Sequence, residues 1–78
     1  MAQHNVIVYS TPTCGYCNIA KKQFNEKGIK YKDIDVSADQ EAAMEMVRKS
    51  GQMGVPVFEI DGKILVGYQP AMLEKLLQ

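Results

Sequence analysis

Apolar positions fall into two periods along this chain, and the switches between them mark out its elements. Val6 to Ser10 is a short, nearly continuous apolar run, the pattern of a strand covered on both faces of a sheet. Thr11-Pro12-Thr13 breaks it. The following stretch carries Cys17, Ala20 and Phe24 along one face, with Lys21, Lys22 and Gln23 beside it, and ends at Gly28, a residue suited to the C′ position of a helix. From Ile29 to Val36 the sequence alternates partly at period two, which predicts a strand with one more polar face. It is expected to pair beside the first strand through a right-handed crossover.

Ser37-Ala38-Asp39-Gln40 fits a capping box, with Ser37 at the N-cap and Gln40 at N3. The helix it opens places Ala43, Met46 and Val47 on one face and stops at Gly51. Val55 to Ile60 and Lys63 to Val66 are β-rich runs separated by Asp61-Gly62, the signal of a tight antiparallel hairpin. After Gly67-Tyr68-Gln69, Pro70 stands where a helix N1 residue belongs, and Met72, Leu73, Leu76 and Leu77 form an apolar stripe to the end. The predicted order is β-α-β-α-β-β-α, an α/β sandwich.

With 78 residues, the chain is expected to form one domain over 1–78, near the lower size at which a core supports itself. Lys plus Arg equals Asp plus Glu, nine each, so no net field attracts nucleic acid or an anionic membrane. No apolar run is long enough to span a bilayer, and Met1-Ala2-Gln3-His4-Asn5 lacks the regions of a signal peptide. A cytoplasmic location is the default expectation. In that reducing compartment lasting disulfides are rare, and transient ones are usually catalytic or redox-sensing.

This matters because the only two cysteines stand at the first strand-to-helix junction, in Cys14-Gly15-Tyr16-Cys17. A thiol on the first turn of a helix faces unpaired N–H groups and the positive end of the macrodipole, which favour thiolate. A second thiol three residues on shares that face, within easy reach of disulfide geometry. A purely structural bridge would be a poor staple, since so small a loop contributes only about 2 kcal/mol in the chain-entropy model. A closed zinc site needs about four ligands. The chain offers no third cysteine, and its single histidine, His4, is expected in a loose tail. A reversible dithiol/disulfide switch is the favoured reading, with metal ligation across two chains as the alternative. The methionines Met44, Met46, Met53 and Met72 are expected to fill core or groove, and Tyr9 and Tyr31 to pack within strands.

Taken together, the strand followed by Thr11-Pro12-Thr13-Cys14-Gly15-Tyr16-Cys17, the Val55-Pro56 pair, the Asp61-Gly62 hairpin and Gly67 before the last helix resemble the glutaredoxin family over essentially the whole length. The resemblance implies a thioredoxin-like three-layer sandwich with a four-stranded mixed sheet. It implies a thiol–disulfide oxidoreductase in which Cys14 is the low-pKa nucleophile and Cys17 resolves the mixed disulfide. It implies that Pro56 is cis and lies against Cys14, that Tyr16 flanks the substrate groove, and that the Val55 backbone pairs with an extended substrate. Thr11, Gln52, Gly67, Tyr68 and Gln69 complete the implied groove, with no metal ligand among them.

By the same resemblance, glutathione is the expected reductant or co-substrate and no cofactor is tightly bound. The chain also looks like the small redoxins that donate electrons to ribonucleotide reductase and are reduced by thioredoxin reductase. Protein disulfides or glutathione mixed disulfides are the implied substrates, and a monomer is expected. The sequence departs from the glutathione users of the family at several positions. Thr11 replaces a Lys or Arg that would meet a glutathione carboxylate, Gly54 replaces a Thr before Val-Pro, and Gly67-Tyr68-Gln69-Pro70 stands where Gly-Gly and an acidic residue are usual. Backbone N–H groups at Val55 and near Tyr68 and Gln69 could replace part of that grip, helped by Lys21 and Gln52. The alternative reading is a carrier in which Cys14 from two chains bridges an iron–sulfur cluster or metal.

Overall fold

The computed structural model describes residues 4–77. Its elements are β1 (Val6–Ser10), α1 (Gly15–Glu26), β2 (Lys32–Asp35), α2 (Gln40–Ser50), β3 (Val57–Ile60), β4 (Lys63–Val66) and α3 (Pro70–Leu76). The strands form one sheet in the order β2-β1-β3-β4. β1 runs parallel to β2 and antiparallel to β3, and β3 runs antiparallel to β4.

Alternation along the two central strands divides the core into two layers. Val6 and Val8 of β1 and Phe58 and Ile60 of β3 face α1 and α3, where they bury Ala20, Phe24 and Leu73. Tyr9 and Val57 face the opposite way, onto Met46 of α2. The sheet is therefore sandwiched between helices, as the element order predicts.

Several boundaries shift, each for a local reason. β2 is shorter than the predicted Ile29–Val36 run because its first residues close α1 instead. Gly28, at φ 71°, donates its N–H to Asn25 O (3.2 Å), and Ile29 donates to Phe24 O (2.8 Å). This paired arrangement is a Schellman closure, in which a glycine takes the left-handed position and the next apolar residue folds back. Tyr31 likewise precedes the strand and packs against Phe24.

At the other end of β2, Ser37 is not the helix cap. Its hydroxyl and N–H both donate to Asp35 Oδ1, at 2.5 and 2.9 Å, and the hydroxyl bond is the chief reason the Asp35 carboxyl is held below its ordinary range. Asp39 caps α2 in its place, accepting the Ala42 N–H at 3.0 Å. Asp and Ser serve about equally well at an N-cap, so the nearer turn to Asp35 decides which residue is left for the helix. Gln40 becomes the first helical residue rather than N3.

β3 begins at Val57, not Val55. The Val55–Pro56 bond is cis, and a proline has no N–H to give a ladder, although Pro56 O accepts the Gly67 N–H at 2.9 Å. The helix faces are narrower than predicted. On α2 only Met46 is fully buried while Val47 is exposed, and on α3 only Leu73 is buried while Met72 is exposed. Met44 and Met53 are also exposed, so three of the four methionines expected as filler stand at the surface.

His4 is not in a loose tail. It meets the Asp61 carboxylate, whose other oxygen accepts the Asn5 N–H at 2.8 Å, while the Asp61 N–H returns to Asn5 O at 2.9 Å. The register that sets Val6 opposite Ile60 brings these residues together. The His4 bond, and after it the Asn5 bond, hold the Asp61 carboxyl below its ordinary 3.8. A carboxylate depressed in the folded state contributes stability above its unfolded value and loses it as pH falls through the folded one. Asp61→Asn, which keeps a side chain tolerant of the φ of 52° found here, is expected to be less stable than the parent at pH 5. Urea unfolding should show that gap narrowing toward pH 2, and a constant gap would contradict the assignment.

Candidate active site

The turn after β1 delivers Cys14 to the N-cap of α1, one position earlier than the first-turn placement the spacing predicts. Its backbone is extended (φ −81°, ψ 110°), and its Sγ accepts the Cys17 N–H at 3.2 Å. The sulfur thus takes the role that Ser or Asp oxygen takes at other caps, using one of the donors a helix start leaves free. Cys14 N–H in turn donates to Thr11 O at 3.2 Å, and Cys14 O accepts from Asn18 N–H at 3.1 Å. Two hydrogen bonds from the turn and the helix fix the backbone that carries the thiol.

Cys17 lies one turn in and is fully buried, whereas Cys14 is half-buried. The two form a disulfide with their Cα atoms 5.3 Å apart. Capping geometry and burial therefore make the pair chemically unequal, with one sulfur at the surface and one beneath it.

The residues expected around the pair divide into those the fold assembles and those it turns elsewhere. Tyr16 is 62% exposed, and its ring stacks on Tyr68 with centroids 5.6 Å apart and planes at 24°. Tyr68 is anchored by its hydroxyl, which bonds Gln23 Oε1 at 2.9 Å. The two tyrosines form an aromatic wall beside the cysteines. The β1–β3 ladder ends at Tyr9 and Val57, so Val55-Pro56, which leads directly into β3, lies at the end of the sheet from which the chain leaves for Cys14. Gly67, at φ 81°, ends β4 and ties to Pro56.

Thr11 contributes its carbonyl and is half-buried. Gln52 directs its side-chain amide to Gly54 O at 3.4 Å, and Gln69 directs its own to Val66 O at 2.7 Å. Lys21, expected to assist in binding, is held by Asp33 Oδ2 at 3.0 Å. α3, with seven residues, starts without a side-chain cap. Among the described residues, no group of three or more His, Cys, Asp or Glu side chains comes together as a metal site, and no helix is long and apolar enough to cross a membrane.

The fold and the capped cysteine pair have counterparts in known proteins. The glutaredoxin family model matches residues 6–65. A glutaredoxin-like 8.6 kDa protein from the rubredoxin operon of Clostridium pasteurianum is 42% identical over 71 residues, which make up 91% of this chain and 95% of that one. The chain belongs to the glutaredoxin family. Glutaredoxin 3 of Escherichia coli K12 is 32% identical over 81% of this chain and 76% of its own. The solved structure of Escherichia coli NrdH-redoxin, a glutaredoxin-like protein with a thioredoxin-like activity profile, superposes with a TM-score of 0.79 at 25% identity, covering 92% of this chain and 93% of that one.

This glutaredoxin is accordingly a thiol–disulfide oxidoreductase with the thioredoxin fold, and the close Cys14–Cys17 pair is its redox-active dithiol. Sequence reasoning missed two features of the site. The Tyr16–Tyr68 stack joins residues 52 apart, with no local signal beyond the aromatic character of each. The Lys21–Asp33 pair joins a helix to a strand, and its only trace in the sequence is a serine, Ser10, at the end of an otherwise apolar strand.

Proposed function

We propose that this glutaredoxin reduces disulfides in proteins, with Cys14 as the attacking thiolate and Cys17 as the resolving thiol. The observation that carries this reading is the asymmetry of the pair. Cys14 caps a helix at the surface, where the free N–H groups favour negative charge on sulfur, and Cys17 is fully buried. In the first step the Cys14 thiolate attacks a substrate sulfur, forming a mixed disulfide and releasing a thiolate. In the second, Cys17 attacks Cys14 Sγ, the mixed disulfide breaks, and the substrate leaves reduced while the enzyme becomes the Cys14–Cys17 disulfide.

Several features favour protein substrates over glutathione. Thr11 carries no charge for a carboxylate, Lys21 is paired with Asp33, and the Gln52 and Gln69 amides are turned to backbone carbonyls. The Tyr16–Tyr68 wall offers apolar surface to a neighbouring chain. Val55 stands just outside the β3 ladder and supplies backbone for an extended substrate. The likeness to NrdH-redoxin supports the same direction. We place the enzyme in the cytoplasm as a monomer, re-reduced by a thioredoxin reductase, with glutathione as the weaker donor. A lost charge-assisted contact is worth roughly 1.5–3 kcal/mol, so turnover with thioredoxin reductase is expected to exceed turnover with glutathione and its reductase by about tenfold or more. Faster turnover with glutathione, together with a potential in the range of about −200 to −230 mV rather than near −270 mV, would reverse the choice of donor.

A further inference from the structure

Ser10 is the one buried polar side chain among the described residues, at 2% exposure, and it does not stand alone. Its hydroxyl donates to Asp33 Oδ1 at 2.6 Å, and the Lys21 ammonium lies 3.0 Å from Asp33 Oδ2 and 3.5 Å from Ser10 Oγ. Ser10 follows Val6 and Val8 on the face covered by α1, and Asp33 pairs in register with Val8 on that same face. The cluster therefore sits in the α1 layer at the end of β1, where the chain turns toward Cys14.

Lys21 is four residues beyond Cys17 on α1. Side chains at this spacing stack on one face, and a helical side chain leans over the turn N-terminal to its own Cα. Lys21 therefore shares the helix face of Cys17, one turn on, and its ammonium is held by Asp33 and Ser10. Cys17 is fully buried, a setting that opposes the charged form of a thiol. Yet it has to become a thiolate to resolve the mixed disulfide.

We propose that Lys21, fixed by Asp33 and Ser10, is a positioning residue that stabilises the Cys17 thiolate in the resolving step. Cys17 loses its proton to solvent, and the thiolate attacks Cys14 Sγ. The Cys14–Cys17 bond forms, the bond from Cys14 to the substrate sulfur breaks, and the substrate leaves as a thiolate. Lys21 takes no proton and supplies only its charge. The other groups on this side are the anions Asp33 and, acting at longer range on Lys21, Asp35 of β2. β1 and β3 present Ser10 and Phe58, and Glu74 of α3 lines a groove with Lys27 at the far end of α1. Lys21 is the cation of the cluster. The inference rests on the roles proposed above for the two cysteines.

The test is stopped-flow reaction of the reduced protein with excess 5,5′-dithiobis(2-nitrobenzoate). The first equivalent of thionitrobenzoate reports attack by Cys14, and the second reports its displacement by Cys17. In Lys21→Met the second release is expected to be about tenfold slower at pH 7, with its pH midpoint shifted upward, as for loss of a nearby opposite charge, and Lys21→Arg is expected to restore both. Should Lys21→Met fail to fold, Lys21→Gln, neutral but still polar at its tip, decides the matter by the same upward shift. A midpoint unmoved in the decisive variant overturns the role of Lys21, whatever happens to the rate. A second release that persists in Cys17→Ser would instead show that the division of roles between the cysteines is wrong.

Discussion

Cys14→Ser is expected to lose disulfide reductase turnover by roughly a thousandfold or more, since removing a nucleophile removes the covalent route itself. A serine hydroxyl at the same N-cap would accept the Cys17 N–H as well as sulfur does, so the helix should survive and thermal stability should stay close to that of the reduced parent. That separates chemistry from folding. Cys17→Ser is expected to behave differently. It retains attack by Cys14 and stalls at the mixed disulfide, so protein-disulfide reduction is lost while removal of glutathione from a glutathionylated substrate, which needs only Cys14 and free glutathione, is spared. The measurement is turnover with insulin and with a glutathionylated peptide, and equal loss of both activities in Cys17→Ser would count against the assigned roles.

The largest expected effect on stability is at Phe58. Its side chain is fully buried at the centre of β3, set edge-on to Phe24 with centroids 6.1 Å apart and planes at 81°, and flanked by Val8 and Leu65 across the two ladders. Phe58→Ala removes an aromatic ring from between the sheet and α1, a change that costs about 3–5 kcal/mol. A chain of this length has a total stability of roughly 4–12 kcal/mol, and each kcal/mol moves the midpoint by about 4–8 °C. The variant is expected to melt at least about 12 °C below the parent in a far-ultraviolet dichroism scan. A fall under about 5 °C would mean that the ring is not the centre of the core.

The elements of this fold were legible wherever a pattern was local and sustained. The apolar run at Val6–Ser10, the helical face of Cys17, Ala20 and Phe24, the Asp61-Gly62 hairpin and Pro70 at a helix start all stand where the sequence predicts them. The misplaced boundaries are those where two equally good local solutions compete. Ser37 and Asp39 can both cap a helix, and only the turn made by Asp35 settles the choice. Ile29 reads as the start of a strand but folds back as the closing residue of α1. His4 looked like tail because nothing in the first five residues hints at Asp61, which the β1–β3 register brings beside it.

The candidate site shows the same division. Cys14 and Cys17 were legible because strand, turn and helix signals surround them at fixed spacing, whereas Val55-Pro56 and Gly67 were assigned to the groove through the family resemblance. The surroundings were not legible. Lys21 and Gln52 read as helpers in binding until Asp33 of β2 and the Gly54 carbonyl take them up, and nothing local shows that the Gln69 amide turns to Val66 O. Partners drawn from distant segments are set by topology and packing, so pattern alone cannot assign them.

The unequal roles of the cysteines are tested most directly by limited alkylation. The fully reduced protein, treated with substoichiometric iodoacetamide at pH 6.5 and mapped by peptide mass spectrometry, is expected to carry the label on Cys14 with Cys17 unmodified. Labelling of Cys17 first, or of both to the same extent, would contradict the account.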